Sequence, residues 1–250
     1  MSELSLFPLS QVLLPFGRVP LQIFEQRYLD LVRDSMKSGE PFGIVWIRRG
    51  SEIAQRGRAS PDLGDWGTYA RIVDWDQLPN GLLGITVQGG GRFDLFETSI
   101  QANGLLQGQV EMRPEPAAAA MLPQWQSMLD VLQSLETHPH VQRMNLSVDY
   151  TDAWQVGWHL IQLLPLDESL KYELLGLDAI DELMATGALE DPMGMGKDLA
   201  NVCERMLYLR KSITSRGPAT KAPTVAIALA KVPKYTSMSS WHSCSSPSPR

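Results

Sequence analysis

Short apolar runs separated by turn-forming residues fill the first 112 positions of this 250-residue chain. Runs of about four to eight apolar or alternating residues, bounded by Gly, Pro, Asn and Asp, are typical of β-strands. Asn80 and Gly81 support this interpretation, because Asn-Gly supplies the positive φ angles of a tight hairpin turn. The pattern predicts strands at positions 4–9, 12–14, 42–47, 68–75, 82–87, 92–96 and 105–112.

One helix interrupts the predicted strands, between positions 25 and 38. Tyr28, Leu31 and Val32 recur at the spacing of a single helix face. Gly39 stands where a C-terminal cap belongs.

The number of strands determines the fold class expected for this half of the chain. So many strands with so little helix cannot alternate as βαβ units, and they predict a twisted, partly closed antiparallel barrel over residues 1–115. Positions 48–66 are polar and glycine-rich, which predicts a long exposed loop. Gly89-Gly90-Gly91 predicts a bulge or sharp bend.

The apolar spacing changes to a helical period after residue 115, so the fold class is α+β with a small helical bundle over residues 116–213. Asp167 offers an N-cap for a helix reaching position 175, and further helices are predicted at 180–186 and 198–213. The two clearest stripes are Trp125, Met128, Leu129, Leu132 and Leu135, followed by Trp154, Gly157, Trp158, Ile161 and Leu164.

The last part of the chain, residues 214–250, has a different composition. From Gly217 onward it holds seven serines, five prolines and four basic residues, and it has no acidic residue. Such a segment cannot build a core of its own. We therefore predict a disordered, basic, Ser/Pro-rich tail, and a frameshift or cloning origin is also compatible with the abrupt change.

Composition excludes several protein classes. The chain is 44% hydrophobic and 20% charged, and it lacks the roughly 18-residue apolar stretch of a membrane helix. Two cysteines, Cys203 and Cys244, are too few for a disulfide framework, so we expect a cytoplasmic location. Residues 1–210 carry 16 basic against 28 acidic side chains, which disfavours nucleic-acid binding.

No motif in the chain predicts catalysis, a cofactor or a metal. Gly196-Lys197 resembles part of a phosphate-binding loop, but Asp191 and Asp198 occupy the positions that need Gly and Ser or Thr. The four histidines stand near no nucleophile motif, and His138 with His140 is better explained as an ordinary polar loop than as a metal site.

Several motifs resemble the Lon protease N-terminal domain, whose opening runs roughly FPL, V-L-x-P and P-L-x-I-F-E-x-R-Y. Weaker matches follow in the family's order over about residues 5–185. The matching residues are Leu6-Phe7-Pro8-Leu9, Leu13-Leu14-Pro15-Phe16-Gly17, Pro20 to Tyr28, Phe42 to Val45, Gly67 to Ile72, Gly89 to Phe93 and Leu166 to Leu175.

This resemblance implies a PUA-like β-barrel followed by helices, serving to recognise proteins or peptides. In the full-length protease the domain precedes an ATPase and a serine–lysine peptidase, and this sequence matches neither. We therefore expect a non-catalytic module that binds unfolded or exposed apolar protein segments and acts as an adaptor for proteolytic machinery. Two alternatives stay open: an ATP-dependent peptidase, against which the missing motifs count, and an RNA-binding barrel, which the acidic body disfavours.

Three aromatic residues are the candidate peptide-binding side chains: Trp66, Tyr69 and Trp75. They lie around one predicted strand and the loop before it. Aromatic rings at a sheet edge offer large contact area with few rotatable bonds. Trp46, within the apolar run at 42–47, is expected in the core instead.

Overall fold

A computed structural model describes residues 1–50 and 61–188 of the chain. The helix predicted at 198–213, the tail at 214–250, Gly196-Lys197 and both cysteines lie outside the described residues. The predicted loop at 48–66 is described only in part.

The first half forms a six-stranded sheet. Its strands are β1 (Ser2–Leu9), β2 (Arg18–Ile23), β3 (Phe42–Arg49), β4 (Asp62–Gln77), β5 (Leu83–Ile100) and β6 (Leu106–Met112). They are arranged in the order β2-β5-β4-β3-β1-β6. The sixth strand pairs with β5 as well as with β1, so the pairings make a circuit through five strands and β2 extends from β5 outside that circuit.

The mixed α+β class is confirmed, with four differences in the strands. β1 and β3 are parallel, so the sheet is not purely antiparallel. β2 forms despite Pro20, whereas positions 12–14 are not a strand. The runs at 82–87 and 92–96 are one continuous strand, β5. β4 begins at Asp62, so part of the predicted loop is sheet.

The three glycines in the middle of β5 lie at the predicted bulge. The register of β4 against β5 shifts between Thr68 and Ala70, which face Arg92 and Gly89. Gly90 and Gly91 are thereby opposite a single residue of β4. An extra residue in one strand bends it and raises its twist, which suits a sheet that curls into a circuit.

Seven helical segments accompany the sheet among the described residues. The apolar stripes predicted in the second half are confirmed, since their residues form the buried faces of these helices. Gly39 caps the first helix with φ 77°. Asp167 precedes its helix but makes no cap bond, whereas Asp152 accepts the N–H of Trp154. The segments are α1 (Gln26–Ser38), a 3₁₀ turn (Pro123–Trp125), α2 (Gln126–Glu136), α3 (Pro139–Gln142), α4 (Ala153–Leu163), α5 (Glu168–Leu175) and α6 (Ile180–Ala188).

Residues 10–17, which we call the crossing segment, separate two of the hydrophobic cores. Leu13 packs with the core that α1 covers on the sheet. Val12 and Leu14 pack with α4, α5 and α6. Because successive side chains point to opposite sides, one extended segment contributes to both cores.

The buried main chain of the crossing segment is bonded to both halves of the molecule. The amides of Val12 and Leu14 donate to Glu168 Oε2 (2.7 Å) and Gln162 Oε1 (3.1 Å), and the carbonyl of Leu13 accepts the Thr68 hydroxyl at 2.7 Å. These side chains supply the partners that buried main-chain groups need outside helices and sheets.

The crossing segment ends in a turn with Pro15 at its second position and Phe16 at φ 62°. The amide of Gly17 donates to the carbonyl of Leu14, and the amide of Phe16 donates to the carbonyl of Gly89 at 2.9 Å. A Cβ on Gly89 would stand 2.1 Å from the carbonyl oxygen of Leu14. Only glycine permits this approach of two backbones.

We therefore predict that Gly89→Ala destabilises the protein by about 1–3 kcal/mol or more, because the added methyl group meets main-chain atoms that cannot move independently. Gly90→Ala is the matched control, since the nearest atom to its added Cβ is 3.6 Å away. Chemical denaturation of both variants measures the difference. Equal stabilities would contradict the contact between the crossing segment and β5.

Candidate functional site

The three aromatic residues predicted to bind peptides all lie in β4, but the structure does not bring them together. Trp66 and Tyr69 are half-buried in the first half of the strand, and Trp75 is exposed near its end. The three side chains therefore have different surroundings.

Trp66 packs against α5. Its ring is parallel to that of Tyr172, with centroids 4.5 Å apart, and its indole N–H donates to the Tyr172 carbonyl at 3.2 Å. The guanidinium of Arg113 lies 5.0 Å from the ring centroid and also donates to the carbonyl of Gly176. Trp66 thus joins the sheet to the helices, and only part of its ring faces solvent.

The Tyr172 hydroxyl is a second link at the same place. It accepts the main-chain N–H of Asp65 at 2.6 Å and of Trp66 at 3.3 Å, and Arg48 donates to it at 3.4 Å. Trp46 packs against Tyr172 with the two ring centroids 4.9 Å apart, and it is half-buried. Sequence reasoning missed Tyr172, although its position on the buried face of a short helix was a usable signal.

Tyr69 packs against a core cluster that includes Leu6, Val45 and Phe93. Its ring meets the edge of Phe93 at a centroid distance of 5.1 Å. Burial raises the pKa of Tyr69 above its usual value, and a hydrogen bond with Ser2 opposes that effect. The hydroxyl is therefore neutral at physiological pH, and the side chain presents an uncharged, mostly apolar surface.

Arg92, from the Gly-x-x-Arg-Phe motif, is 4% exposed and fastens the sheet to the turn after α5. Its guanidinium donates to the carbonyls of Leu175 (2.9 Å) and Leu177 (2.6 Å), and it pairs with Asp178 at 2.6 Å. All of these contacts are internal to the chain. The motif thus has a structural explanation in this protein.

Trp75 lies in the part of β4 that has a paired strand on one side only. We call residues 71–77 of β4 and 83–88 of β5 the arm, because β4 pairs there with β5 alone. Trp75 is 60% exposed and Val73, two residues before it, is 44% exposed. The arm therefore offers an accessible aromatic side chain with an aliphatic one close by.

One buried histidine has an altered acidity. His159 on α4 is 1% exposed, its Nδ1 lies 2.7 Å from the Gln155 carbonyl, and its ring stacks on Phe16. Burial lowers the pKa of His159 below its usual value. The Gln155 carbonyl and Glu136 oppose that effect, and the charge of Arg18 adds to it.

Neither a metal site nor a membrane helix is found in the described ranges. Across residues 1–50 and 61–188, no group of three or more His, Cys, Asp or Glu side chains is placed to hold a metal ion. Over the same residues, no helix is long and apolar enough to cross a membrane.

Comparison with known proteins gives one family for most of the described chain. The family described as the ATP-dependent protease La (LON) substrate-binding domain matches residues 3–183. A Lon protease of Anaeromyxobacter dehalogenans is 29% identical over 109 residues, which are 43% of this chain and 12% of that protein. Lon protease 2 of Myxococcus xanthus is 32% identical over 38% of this chain and 11% of its own length. The alignments therefore span about an eighth of these relatives.

Solved structures show the same fold. The Lon N-terminal domain protein from Xanthomonas campestris is 31% identical, with a TM-score of 0.60, and the match covers 74% of this chain and 96% of that one. The N-terminal domain of Mycobacterium avium complex Lon protease is 17% identical with a TM-score of 0.50 over the same shares, which shows the fold alone.

We predict that Tyr172→Phe lowers the free energy of unfolding by about 1–3 kcal/mol, because the amides of Asp65 and Trp66 lose their acceptor while the stacked ring stays. Tyr150→Phe is the control. Its hydroxyl donates to the Glu136 carboxylate on the surface, so we expect a loss below about 0.5 kcal/mol. Urea denaturation measures the free energy of unfolding of both variants, and equal losses would contradict the role given to the Tyr172 hydroxyl.

His159 generates a prediction about pH. The unfolded state takes up the proton near pH 6.5 and the folded state only at lower pH, so the stability that neutral His159 provides is complete above about pH 6.5 and is lost as the pH falls below it. We expect the wild type to lose stability relative to His159→Gln between about pH 7.5 and about pH 5.5. Denaturation curves at both pH values measure this, and an unchanged gap would show that burial does not affect His159.

Proposed function

This chain belongs to the family of LON substrate-binding domains, and we propose that it is a recognition module for unfolded or exposed apolar segments of other proteins. The observation that carries the proposal is the family match over residues 3–183, which includes nearly every described residue. A domain of this fold can support many functions, so the family's substrate-binding character is what favours polypeptide binding.

The proposed role is binding without catalysis. The matched family is a substrate-binding domain, and the proteolytic activity in the relatives' names belongs to proteins of which the aligned region is 12% or less. We propose that the chain acts as an adaptor, holding a client protein for a proteolytic machine in the cytoplasm. The absence of catalytic motifs from the sequence supports this assignment.

Binding in this proposal centres on the arm, with Trp75 as the main anchor. Trp75 is the most exposed of the three candidate aromatics, and Val73 enlarges the apolar surface beside it. Trp66 and Tyr69 contribute the parts of their rings that the rest of the chain leaves uncovered. An apolar client segment would cover the indole of Trp75, and aromatic anchors of this kind carry much of the affinity at protein interfaces.

We predict that Trp75→Ala weakens the binding of an unfolded polypeptide about thirtyfold, which corresponds to ~2 kcal/mol. The probe is fluorescently labelled β-casein, and the readout is fluorescence anisotropy at fixed ionic strength. Because the side chain is mostly exposed, the free energy of unfolding should change by less than about 1 kcal/mol.

Phe96→Ala is the matched control, since this residue is also an exposed aromatic, 52% accessible, on the other half of β5. It should bind the probe as the wild type does. Normal binding by Trp75→Ala would contradict the site, whereas no binding by the wild type would contradict the function. Salt-sensitive binding of RNA in place of casein would favour the RNA-binding alternative.

A further inference from the structure

The sheet has an outer edge along the arm that no other strand covers in the described part of the chain. Pairing between β3 and β4 ends where Phe42 faces Ala70. From Arg71 to Gln77, β4 has β5 on one side only. A row of unpaired main-chain groups at such an edge is a template for strand addition by another chain.

The hairpin at the end of the arm determines which main-chain groups face outward. The amide of Leu78 donates to the carbonyl of Leu82, so Leu78 directs its main-chain groups toward β5. Since the direction alternates along a strand, Asp74 and Asp76 also face β5. The N–H groups of Trp75 and Gln77 therefore face the open edge.

Both of these outward N–H groups are already bonded by the side chain that precedes them. The amide of Trp75 donates to Asp74 Oδ1 at 2.9 Å, and the amide of Gln77 donates to Asp76 Oδ1 at 2.8 Å. We infer that Asp74 and Asp76 close this edge of the sheet to pairing with a second copy of the chain, by occupying the two outward amides nearest the hairpin.

Two further features of the arm act in the same direction. The register shift between Ile72 and Asp74 is a bulge at Val73, and a bulge turns the edge away from a flat partner. The carboxylates also place two negative charges along the edge, and charge on an edge strand discourages association. Asp is disfavoured inside strands, so its occurrence twice in this one needs such a reason.

The opposite edge, β2, is closed by a different means. Along β5, successive residues direct their main-chain groups alternately to β4 and to β2. Val19 and Leu21 pair with Val87 and Ile85, which face β2, so Pro20, opposite Thr86, faces outward. Proline has no N–H to offer a new strand, and its place in sheets is this outward position on an edge strand. Within residues 1–50 and 61–188, both open edges of the sheet thus lack an ordinary run of outward donors.

The inference is independent of the proposed function and is tested by self-association. The variant Asp74→Ala/Asp76→Ala removes both acceptors and both charges. The variant Asp74→Asn/Asp76→Asn removes the charges but keeps a carbonyl oxygen at each position. Analytical ultracentrifugation over a range of protein concentrations compares each variant with the wild-type full-length chain.

We expect the double Ala variant to associate at concentrations where the wild type and the double Asn variant do not. Association of neither variant, or of both equally, would overturn the inference, because the two bonds would then make no difference to the edge. Amide hydrogen exchange in the wild type gives a test that needs no variant. Trp75 and Gln77 should exchange about fivefold more slowly than unbonded amides, as a bond of ordinary net strength requires, and unprotected exchange would also overturn it.

Discussion

The buried main chain of the crossing segment is the constraint on which the rest of the structure depends. A segment that is neither helix nor strand can be buried only if other parts of the chain bond its amides and carbonyls. Those partners come from β4, β5, α4 and α5, through Thr68, Gly89, Gln162 and Glu168. Each unmatched group would cost about 1–3 kcal/mol, so the positions of sheet and helices are coupled through the crossing segment.

The contacts of α5 with the sheet reinforce that coupling from a second direction. Tyr172 and the carbonyls after α5 meet Trp66, Arg113 and Arg92, which project from the sheet side. Arg92 is nearly fully buried, and removal of its partners would leave a charge in a low-dielectric site. The helical half is thus held on the sheet by side-chain contacts as well as by the crossing segment.

Periodicity in the sequence was enough to predict most helices and strands, because the apolar faces at Tyr28 or Trp158 reflect burial directly. It could not show which distant segments meet. Trp66 and Tyr172 are 106 residues apart, and Val12 and Glu168 are 156 apart. Trp66 was therefore expected in an exposed loop, although it lies in a strand and stacks on a helix. The parallel pairing of β1 with β3 was missed for the same reason.

Burial also decides how much each candidate aromatic could add to binding. A ring that already packs on Tyr172 and Arg113, as Trp66 does, has less surface left to bury against a client. Trp75 keeps most of its surface, and the bonded amides beside it leave side chains as the main means of contact on that edge. Affinity at the arm would then depend on apolar area rather than on main-chain pairing, which suits recognition of many different sequences, since every polypeptide with exposed apolar side chains can supply such area.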